Sequence, residues 1–388
     1  MVALLVIFTL SAFIVIYAMI GYPLLLKLLD NILKPNEIPK NEQYEPTVTY
    51  MIVAHNEEAV ISKKLDNALN LEYPREKFQI LVASDNSSDS TNEIVQEYIK
   101  NYPDREIVLY CSREHKGKTN AQNEAQKEAT GEILVFTDAN TLLHADAIRQ
   151  LISSFSNDEI VYVCGKLEYS NSNDNLASSS ESTYWNIDLS MRDIESRIWT
   201  ITAGNGALYA CRNSEYIDFP PISCHDSIMP FTFSKQGKRA VFNPAAVAVE
   251  KAGETYEDEY KRKVRMNRDL FDMLSWGVSV LNPFKYHWFS VFYFGHRTCR
   301  YLLWSAHILL LLSSLGLAFC GISVFWVMFG LQILFFFIAG VALKTKADSA
   351  IIRMIGYYGM TVFAQVNAVW NILTGKAKPT WEKAESTR

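Results

Sequence analysis

Residues Ile133–Thr141 read ILVFTDANT, and this stretch decides the fold. Four apolar residues in a row predict a strand that is buried on both faces, as in a parallel sheet covered by helices. Asp138 then lies at the carboxyl end of that strand, which is the edge where open α/β sheets bind their ligands. A carboxylate there can hold a hard cation and, through it, a phosphate-bearing substrate. The alternative is that Asp138 only starts a turn, because turns favour the same residue types.

The composition bounds the classes of partner. The chain has 388 residues, of which 49% are hydrophobic and 20% charged, and its formal net charge is -5. This mildly acidic balance carries no signature of nucleic-acid binding, so we expect no nucleic-acid partner. The six cysteines are scattered, without Cys-x-x-Cys or zinc-ligand spacing. We expect them to be reduced packing residues in a cytosolic and membrane setting.

The amino-terminal segment predicts a membrane span. Val2–Leu29 is almost uncharged until Lys27 and is longer than the ~20 residues that cross a bilayer. Further lysines follow the span, so the positive-inside tendency places the amino terminus outside and the next domain in the cytosol. A secretory signal would have its cations first and a shorter apolar core. We predict a transmembrane helix over residues 1–30, a proline-containing linker over 31–46, and a multi-pass location in the inner or plasma membrane.

Strand-like and helix-like segments then alternate over residues 47–281. Such alternation predicts an α/β fold with a mainly parallel sheet flanked by helices. Tyr169–Ser180 is rich in Ser and Asn, which predicts a loop. The predicted strands are Thr47–Ala54, Phe78–Ala83, Ile107–Cys111, Glu132–Thr137, Val161–Leu167, Gly237–Pro244 and Val247–Glu250. The predicted helices are Glu57–Leu71, Ser90–Asn101, Thr119–Thr130, Ala147–Phe155, Ser182–Trp199 and Glu254–Trp276.

Polar clusters follow each of the first four predicted strands. Because the carboxyl ends of parallel strands meet at one edge of a sheet, these clusters could together form a nucleotide-sugar pocket. Taken singly, each has a simpler explanation: an acid can cap a helix, and a lysine can be a solvated loop charge. The clusters are Ala54–Glu58, Ser84–Asp89, Lys116–Lys118 and Thr137–Asn140.

These clusters resemble the nucleotide-binding half of the family 2 inverting glycosyltransferases, which have the GT-A (Rossmann-like) fold. The chain is similar to the membrane-bound polysaccharide synthases of the hyaluronan, cellulose and poly-N-acetylglucosamine type. The resemblance implies that Glu57 and Asp85 contact the uridine of a UDP-sugar and that Asp138 ligates Mg²⁺ or Mn²⁺ on its diphosphate. The donor-binding residues that it implies are Ala54, Asn56, Glu57, Asp85, Lys118, Asp138, Ala139, Asn140 and Arg262.

The predicted metal site departs from the family pattern at one position. Many members have a second aspartate where this chain has Asn140. An amide oxygen can ligate Mg²⁺ or Mn²⁺, but it brings no charge. We therefore predict a metal site made of Asp138 and Asn140, with a lower affinity for the cation.

The acceptor side is predicted from two later segments. Glycines on both sides of Asn205 permit a tight turn or the close approach of the backbone to a ligand. A similar segment borders the acceptor sugar in the resembled family, which implies acceptor contacts for Gly204, Asn205 and Gly206. Inverting transfer also needs one base to take the proton from the acceptor hydroxyl. Asp226 matches the family's base, and His225, which replaces the first acid of the family's pair, is assigned to the acceptor side; the alternative for Asp226 is a helix N-terminal acid.

A cationic segment follows near the end of the predicted domain. Tyr260–Arg268 could be a solvated helix face or a membrane-surface stripe. The resembled family carries Gln-x-x-Arg-Trp here, and its arginine meets the departing diphosphate, where a guanidinium stabilises charge well. Arg262 stands for the glutamine, Arg265 matches the arginine, and Met266 replaces the tryptophan. The missing tryptophan weakens any inference of processive synthesis.

The carboxyl-terminal third predicts membrane contact. Residues 282–300 mix aromatic and cationic side chains, which predicts an amphipathic helix at the cytosolic interface. Residues 301–343 predict two transmembrane helices joined by a tight turn. Residues 344–388 predict a membrane-associated helix and a cytosolic tail. Ile355–Leu373 in that region either spans the bilayer, re-enters it or lies along it, and the cationic tail favours no fourth crossing.

The sequence thus predicts a membrane-embedded inverting enzyme that moves a sugar from a cytosolic UDP-sugar to a growing polysaccharide or a lipid-linked acceptor. One alternative is non-processive glycosylation of a ceramide- or polyprenol-like lipid. Another is an inactive subunit that binds nucleotide or scaffolds a synthase complex. Because three spans are few for a wide channel, export of a polymer would call for a homo-oligomer or a secretion partner.

Overall fold

The structure is a computed structural model, and it describes residues 1–171, 176–253, 255–345 and 349–380. The chain divides into two compact units. We name the part formed by residues 35–171, 186–253 and 378–380 the sheet unit. The helical unit comprises residues 1–34, 176–185, 255–345 and 349–377.

The sheet unit contains one mixed sheet. Its strands are β1 (Val48–Ala54), β2 (Phe78–Ser84), β3 (Ile107–Cys111), β4 (Ile133–Asp138), β5 (Leu142–Leu143), β6 (Ile160–Tyr169), β7 (Tyr209–Arg212) and β8 (Arg239–Glu250). They lie in the order β3-β2-β1-β4-β7-β6-β8-β5. Neighbours run parallel from β3 to β4 and between β6 and β8, and antiparallel elsewhere. The expected α/β class with a mainly parallel sheet is confirmed.

The described helices alternate with the early strands and then dominate the rest of the chain. The helices between residues 61 and 153 and the helix at 225–235 belong to the sheet unit, whereas those at 2–33 and 256–373 belong to the helical unit. In chain order the helices are α1 (Val2–Ile16), α2 (Tyr22–Leu33), α3 (Ile61–Leu69), α4 (Thr91–Asn101), α5 (Lys118–Ala125), α6 (Ala147–Ser153), α7 (Leu176–Ile198), α8 (His225–Lys235), α9 (Tyr256–Met266), α10 (Leu270–Ser279), α11 (Pro283–Tyr286), α12 (Trp288–Phe292), α13 (Cys299–Tyr301), α14 (Leu303–Phe319), α15 (Val324–Lys344) and α16 (Ala350–Leu373).

The register of the parallel strands brings their polar ends to one edge of the sheet. Every residue of β1 and β2 is buried, as a strand covered by helices on both faces requires. Val53 of β1 lies opposite Asp138 of β4, and Ala54 lies opposite Ser84 of β2. The carbonyl oxygen of Ala54 also accepts the backbone N–H of Asp85 at 2.8 Å. The first, second and fourth polar clusters therefore start at the same level of the sheet.

Four secondary-structure predictions are wrong. The predicted loop Tyr169–Ser180 is too long, because α7 already begins at Leu176, and the residues between 171 and 176 lie outside the described ones. The two predicted strands after Gly237 form one strand, β8, which passes Pro244 as a bulge: the pairing with β6 jumps from Asn243 to Val247. A proline cannot donate to a sheet ladder, but a bulge leaves it unpaired without ending the strand.

Two predicted helices are interrupted: Glu254–Trp276 and the interfacial helix over residues 282–300. Asn267 interrupts the first because its side-chain amide donates to the carbonyl oxygen of Lys263 at 2.8 Å, which satisfies the end of α9. The predicted helix over residues 282–300 is divided by His287, whose φ of 50° is not helical, and by a π-helical segment at Tyr293–Thr298.

Two helical segments of the described chain are long and apolar enough to cross a membrane. They are Val2–Leu33, in which α1 and α2 join through a π-helical turn, and α15. A third candidate arises if Trp288–Tyr301 and α14, which are bent by 62° relative to each other, count as one span. Large apolar side chains along α1 and α15 are exposed, as lipid-facing residues would be. Such helices suggest a membrane protein.

Helix α16 is tied to α9 by polar contacts within the helical unit. The hydroxyl of Tyr357 donates to Glu259 at 3.0 Å, and the amide of Asn367 donates to the hydroxyl of Tyr260 at 3.0 Å. A helix with this polar face differs from the uniformly apolar α15. Whether α16 crosses the bilayer, and the predicted domain bounds, stay predictions.

Candidate active site

Asn56 joins the loops that follow β1 and β2. Its side-chain oxygen accepts the backbone N–H of Ser88 at 2.7 Å, and its own N–H donates to the Ser87 hydroxyl at 3.1 Å. The N–H of Glu57, a buried residue, donates to the Thr91 hydroxyl at 2.8 Å. Asn56 has a φ of 55°, a left-handed conformation that asparagine tolerates better than most residues. The first two polar clusters are thus one hydrogen-bonded pair of loops.

Asp85 organises the start of α5. Its carboxylate is fully buried, so it requires partners. Oδ1 accepts the N–H of Lys116 at 3.1 Å, Oδ2 accepts the N–H of Gly117 at 2.8 Å, and His115 Nδ1 lies 2.8 Å from Oδ2. Gly117 has a φ of 102°, and a Cβ there would lie 2.6 Å from the carbonyl oxygen of Pro379. The carboxylate therefore fixes the backbone that leads into the helix.

Two histidines stack beside this carboxylate. The rings of His55 and His115 are 3.7 Å apart and 13° from parallel, and His55 Nδ1 lies 2.7 Å from the carbonyl oxygen of Asp85. The three residues offer metal-ligand atoms within 4.8 Å of one another. However, in stacked rings the lone pairs lie in parallel planes and do not converge on one ion. We interpret the group as a hydrogen-bonded support for Asp85.

Lys118 and Asp138 form the charged centre of the edge. The Lys118 ammonium donates to Asp138 Oδ1 and lies 3.4 Å from the carbonyl oxygen of Gly206. The Asp138 side chain is 34% exposed, whereas Ala139 beside it is buried. A Cβ on Gly206 would lie 3.0 Å from Lys118 Nζ and 3.4 Å from Asp138 Oδ2. Gly206 thus leaves space next to the partly exposed Asp138 carboxylate, which already pairs with the Lys118 ammonium.

Helix α3 supports the loop around Asp138 through side-chain hydrogen bonds. The ammonium of Lys64, which is fully buried, donates to the Thr137 hydroxyl at 2.9 Å and to the carbonyl oxygen of Thr141. One turn later, Asn67 bonds both the N–H and the carbonyl oxygen of Leu143, at 2.8 and 2.9 Å. Burial lowers the pKa of Lys64 to about 7, against the attraction of nearby carboxylates. Sequence reasoning missed Lys64, because a lysine in a helix is ordinarily solvated.

Asn140 contacts an acid that the sequence did not single out. Its Nδ2 donates to Glu250 Oε1 at 2.8 Å, across 110 residues of chain. The contact follows from the pairing of β5 with β8, in which Leu142 lies opposite Val249. Glu250 ends its predicted strand with a charge, and this is the one signal that could have drawn attention to it.

The predicted acceptor segment is held in place by hydrogen bonds of the Asn205 side chain and of the Gly204 backbone. Asn205 is buried, and its amide donates to Gly165 O at 2.8 Å and accepts the N–H groups of Ala207 and Leu208 at 3.1 and 3.2 Å. The N–H of Gly204 donates to the carbonyl oxygen of Asp226 at 2.9 Å. The side-chain amide of Asn205 is therefore committed to the fold, whereas the partly exposed Asp226 lies in the first turn of α8.

His225 lies in an aromatic cage. The rings of Phe136, Tyr209, Tyr216 and Phe219 surround it at 5.2 to 5.9 Å. Its Nδ1 lies 2.8 Å from the Tyr209 hydroxyl. Burial lowers the pKa of His225 to about 3, so the ring is neutral at physiological pH. Its assignment to the acceptor side stays a prediction.

One face of α5 connects the donor and acceptor sides. Lys118 reaches Asp138, the Thr119 hydroxyl donates to Ser223 O at 2.8 Å, and Gln122 Nε2 donates to the Tyr209 hydroxyl at 2.8 Å. Tyr209 contacts His225 in turn, so a single helix touches both sides of the candidate site.

The two predicted arginines lie in the helical unit, on α9. Arg262 binds the buried carboxylate of Glu259 with two nitrogens, at 2.6 and 3.0 Å. Burial would raise the pKa of Glu259, but Arg262 and Lys263 lower it to about 2. Arg265 is partly exposed on the same helix. The other predicted site residues belong to the sheet unit.

A family model matches part of the sheet unit. Residues 49–214 match the model of glycosyl transferase family 2. The chain carries a glycosyltransferase family 2 domain. The β1–β7 region that forms the candidate donor edge lies inside that match. The predicted enzyme class and the resemblance on which it rested are confirmed.

Curated proteins similar to this chain include polysaccharide and glycolipid synthases. A 223-residue stretch is 24% identical to the poly-beta-1,6-N-acetyl-D-glucosamine synthase of Staphylococcus aureus (strain COL), covering 56% of this chain and 53% of that one. A 144-residue stretch is 28% identical to the beta-monoglucosyldiacylglycerol synthase of Trichormus variabilis, covering 37% and 31%. The chain thus spans between about a third and about a half of the length of these relatives.

A solved structure shares the fold over almost the entire chain. The mannosyltransferase PcManGT from Pyrobaculum calidifontis, in complex with GDP-Man and Mn²⁺, superposes with a TM-score of 0.72 over 95% of this chain and 99% of that one. At 22% sequence identity this similarity concerns the fold. The expected GT-A fold is confirmed.

Proposed function

We propose that this chain is a membrane-bound inverting glycosyltransferase that takes a UDP-sugar together with a divalent cation. The acceptor is a growing polysaccharide or a lipid-linked saccharide. Lysines after the first apolar helix favour a cytosolic position for the sheet unit. The protein as a whole would lie in the inner or plasma membrane. The observation that carries the proposal is the series of contacts from Asp85 through Gly117 and Lys118 to Asp138, along one edge of the sheet.

The residues at this edge fit Mg²⁺ or Mn²⁺. Both ions prefer oxygen ligands, and Asp138 and Asn140 offer a carboxylate and an amide oxygen. Asp138 already attracts the Lys118 ammonium, and Gly206 keeps the space beside Oδ2 free of a side chain. A cation bound there would neutralise charge on the donor diphosphate. Glu57 and Asp85, in the braced loops next to this edge, are the candidates for contact with the nucleoside.

Transfer would take place in one displacement. Asp226 accepts the proton of the acceptor hydroxyl while that oxygen attacks the anomeric carbon. The bond from the anomeric carbon to the diphosphate oxygen breaks, and UDP leaves with that electron pair. Lys118 supplies positive charge for the leaving diphosphate, and the resemblance assigns the same role to Arg265. Inversion follows because only one displacement occurs.

A second candidate is single addition of a sugar to a lipid. Met266 replaces the tryptophan of the polymerising members, and the beta-monoglucosyldiacylglycerol synthases among the relatives favour this alternative. Product length separates the two: a ladder of products indicates a polymerase, and a single glycolipid indicates the second function. If polymer is exported, reconstitution of the purified chain alone tests the need for a homo-oligomer or a secretion partner.

The first test is nucleotide release by the detergent-purified full-length chain. A panel of UDP-sugars and GDP-mannose is offered with Mn²⁺, Mg²⁺ or EDTA. We expect release with one UDP-sugar, loss of release in EDTA, and loss in Asp226→Asn. Asp218→Asn removes an exposed carboxylate eight residues earlier and serves as the matched control. Release from GDP-mannose alone would contradict the uridine assignment, and silence of the folded protein across all donors and acceptors would favour an inactive binding subunit.

A further inference from the structure

We propose that Glu250 is a positioning residue of the metal site that orients Asn140 and supplies the negative charge that this asparagine lacks. The inference rests on the proposed function, because it concerns the cation that Asp138 and Asn140 would hold. Glu250, which follows Asn140 by 110 residues in the chain, would then belong to that site. The contact that carries it joins Asn140 Nδ2 and Glu250 Oε1 at 2.8 Å.

The chemistry of this contact fixes the orientation of the Asn140 amide. An ionised carboxylate only accepts hydrogen bonds, so the amide atom that faces it must be the N–H₂ group. The amide oxygen of Asn140 consequently points away from Glu250. The oxygen is the amide atom that a cation would bind, so this contact keeps the nitrogen, which cannot ligate, on the Glu250 side. Partners that orient a metal ligand in this manner commonly determine metal affinity.

Glu250 is itself held by the sheet. It is the last residue of β8, and its carbonyl oxygen accepts the N–H of Ser170 at 2.9 Å. Leu142 and Leu143 of β5 pair with Val249 and Ala248, which sets β8 beside the loop that contains Asn140. The position of the carboxylate is therefore determined by strand pairing and not by a flexible surface loop.

The charge of Glu250 also acts on the same centre. Asp138 pairs with the Lys118 ammonium, and Glu250 is joined to the same loop through Asn140. Loss of the Glu250 charge would remove one of the carboxylates beside that ammonium. A dication would then bind against a more positive local field, which weakens its binding.

A single and a double substitution test the role of Glu250. Glu250→Gln keeps the shape of the side chain and a hydrogen-bonding oxygen, but removes the charge. Asn140→Asp alone would set two carboxylates against each other at hydrogen-bond distance. The double variant Asn140→Asp/Glu250→Gln restores one charge and one hydrogen bond in the reverse direction, because the new glutamine amide can donate to the new aspartate. Glu132→Gln, at the opposite end of β4, removes one carboxylate elsewhere and is the control.

The experiment measures Mn²⁺ binding to the full-length chain in detergent with UDP present, from the electron paramagnetic resonance signal of free Mn²⁺. We expect Glu250→Gln to raise the Mn²⁺ dissociation constant about 10- to 100-fold. The double variant should return to within about threefold of the unsubstituted chain, and Glu132→Gln should match it. Asp138→Asn should abolish binding.

Each alternative result has a distinct meaning. If Glu250→Gln binds Mn²⁺ as tightly as the unsubstituted chain while Asp138→Asn does not bind, the role of Glu250 is wrong and the metal site stands. If the double variant is folded, as judged by its melting temperature, but binds no better than Glu250→Gln, the argument that the pair needs one charge and one hydrogen bond is overturned. If Asp138→Asn binds normally, the proposed metal site itself is wrong.

Discussion

The donor and acceptor sides of the candidate site differ in how their polar groups are used. On the donor side, Lys118 and Asp138 form an ion pair that is partly exposed, so a ligand can displace one partner. On the acceptor side, Asn205 and His225 are buried, and their polar contacts lie within the protein. Both sides carry motif residues of the same family, yet only one of them offers exchangeable charges.

If the donor side binds the nucleotide, one motif of this chain serves structure next to one that serves ligand binding. An exposed ion pair is weak and exchanges readily, whereas a buried hydrogen-bond network costs free energy to open. Asp226 is the exception on the acceptor side, because it is partly exposed and its backbone is fixed by Gly204. Four experiments test this contrast.

The largest effect is expected for Asp226→Asn. Loss of a general base should lower kcat roughly 10²- to 10⁴-fold. The UDP dissociation constant should not change, because the substitution is on the acceptor side. Turnover and calorimetric UDP binding are measured on the same preparation. If Asp226→Asn weakens UDP binding as strongly as Asp138→Asn does, the division into two sides is wrong.

Two glycines two residues apart should respond differently to alanine. In Gly204→Ala the new Cβ would lie 1.9 Å from the Tyr162 hydroxyl, so we expect overpacking to lower stability by about 1–3 kcal/mol. In Gly206→Ala it would meet the flexible end of Lys118, so stability should change little, whereas the KM for the donor should rise. Melting temperatures and donor kinetics of both variants test this.

A rescue variant makes the glycine experiment decisive. Tyr162→Phe removes the hydroxyl that Gly204→Ala would meet, so the double variant should recover most of the lost melting temperature. Equal losses of stability at both glycines would contradict the assignment of Gly204 to the fold and Gly206 to the site.

Lys64→Met should destabilise the protein by about 1–3 kcal/mol. Methionine retains much of the apolar volume of lysine but cannot donate to the Thr137 hydroxyl and the Thr141 carbonyl oxygen, which stay buried without a donor. Lys63→Met, next to it on the same helix, is the control. Chemical denaturation in detergent measures both. Unchanged stability of Lys64→Met would show that the donor loop does not depend on support from α3.

The smallest effect is the pH dependence caused by His225. Its pKa falls from the ordinary 6.5 to about 3 in the folded chain. The unfolded chain therefore binds a proton below pH 6.5 while the folded chain does not, and stability falls by about 1.4 kcal/mol per pH unit between those values. His225→Asn should flatten this slope between pH 6.5 and 5.5 in melting experiments. An unchanged slope would mean that the buried ring is not the titrating group.

Much of the donor edge could be predicted because its signals are local. The apolar run of β4 and the buried strands β1 and β2 indicate a parallel sheet that is covered by helices. Polar clusters that follow such strands must meet at one edge. The predicted residues from Ala54 to Asn140 accordingly lie along the same edge. The bulge at Pro244 and the break at Asn267 were missed because they depend on a neighbouring strand and on one side-chain bond.

The fold class, the family and the edge at which the predicted donor residues gather follow from local patterns, since hydrophobic patterning and short motifs are properties of contiguous residues. Tertiary contacts account for the rest: Asn205 is used by the fold, Lys64 supports the donor loop from inside, and Glu250 meets Asn140 across 110 residues. The physical reason is the same in each case: a buried polar group must find a partner, and the partner that it finds is set by strand pairing and packing, which single-sequence patterns do not specify.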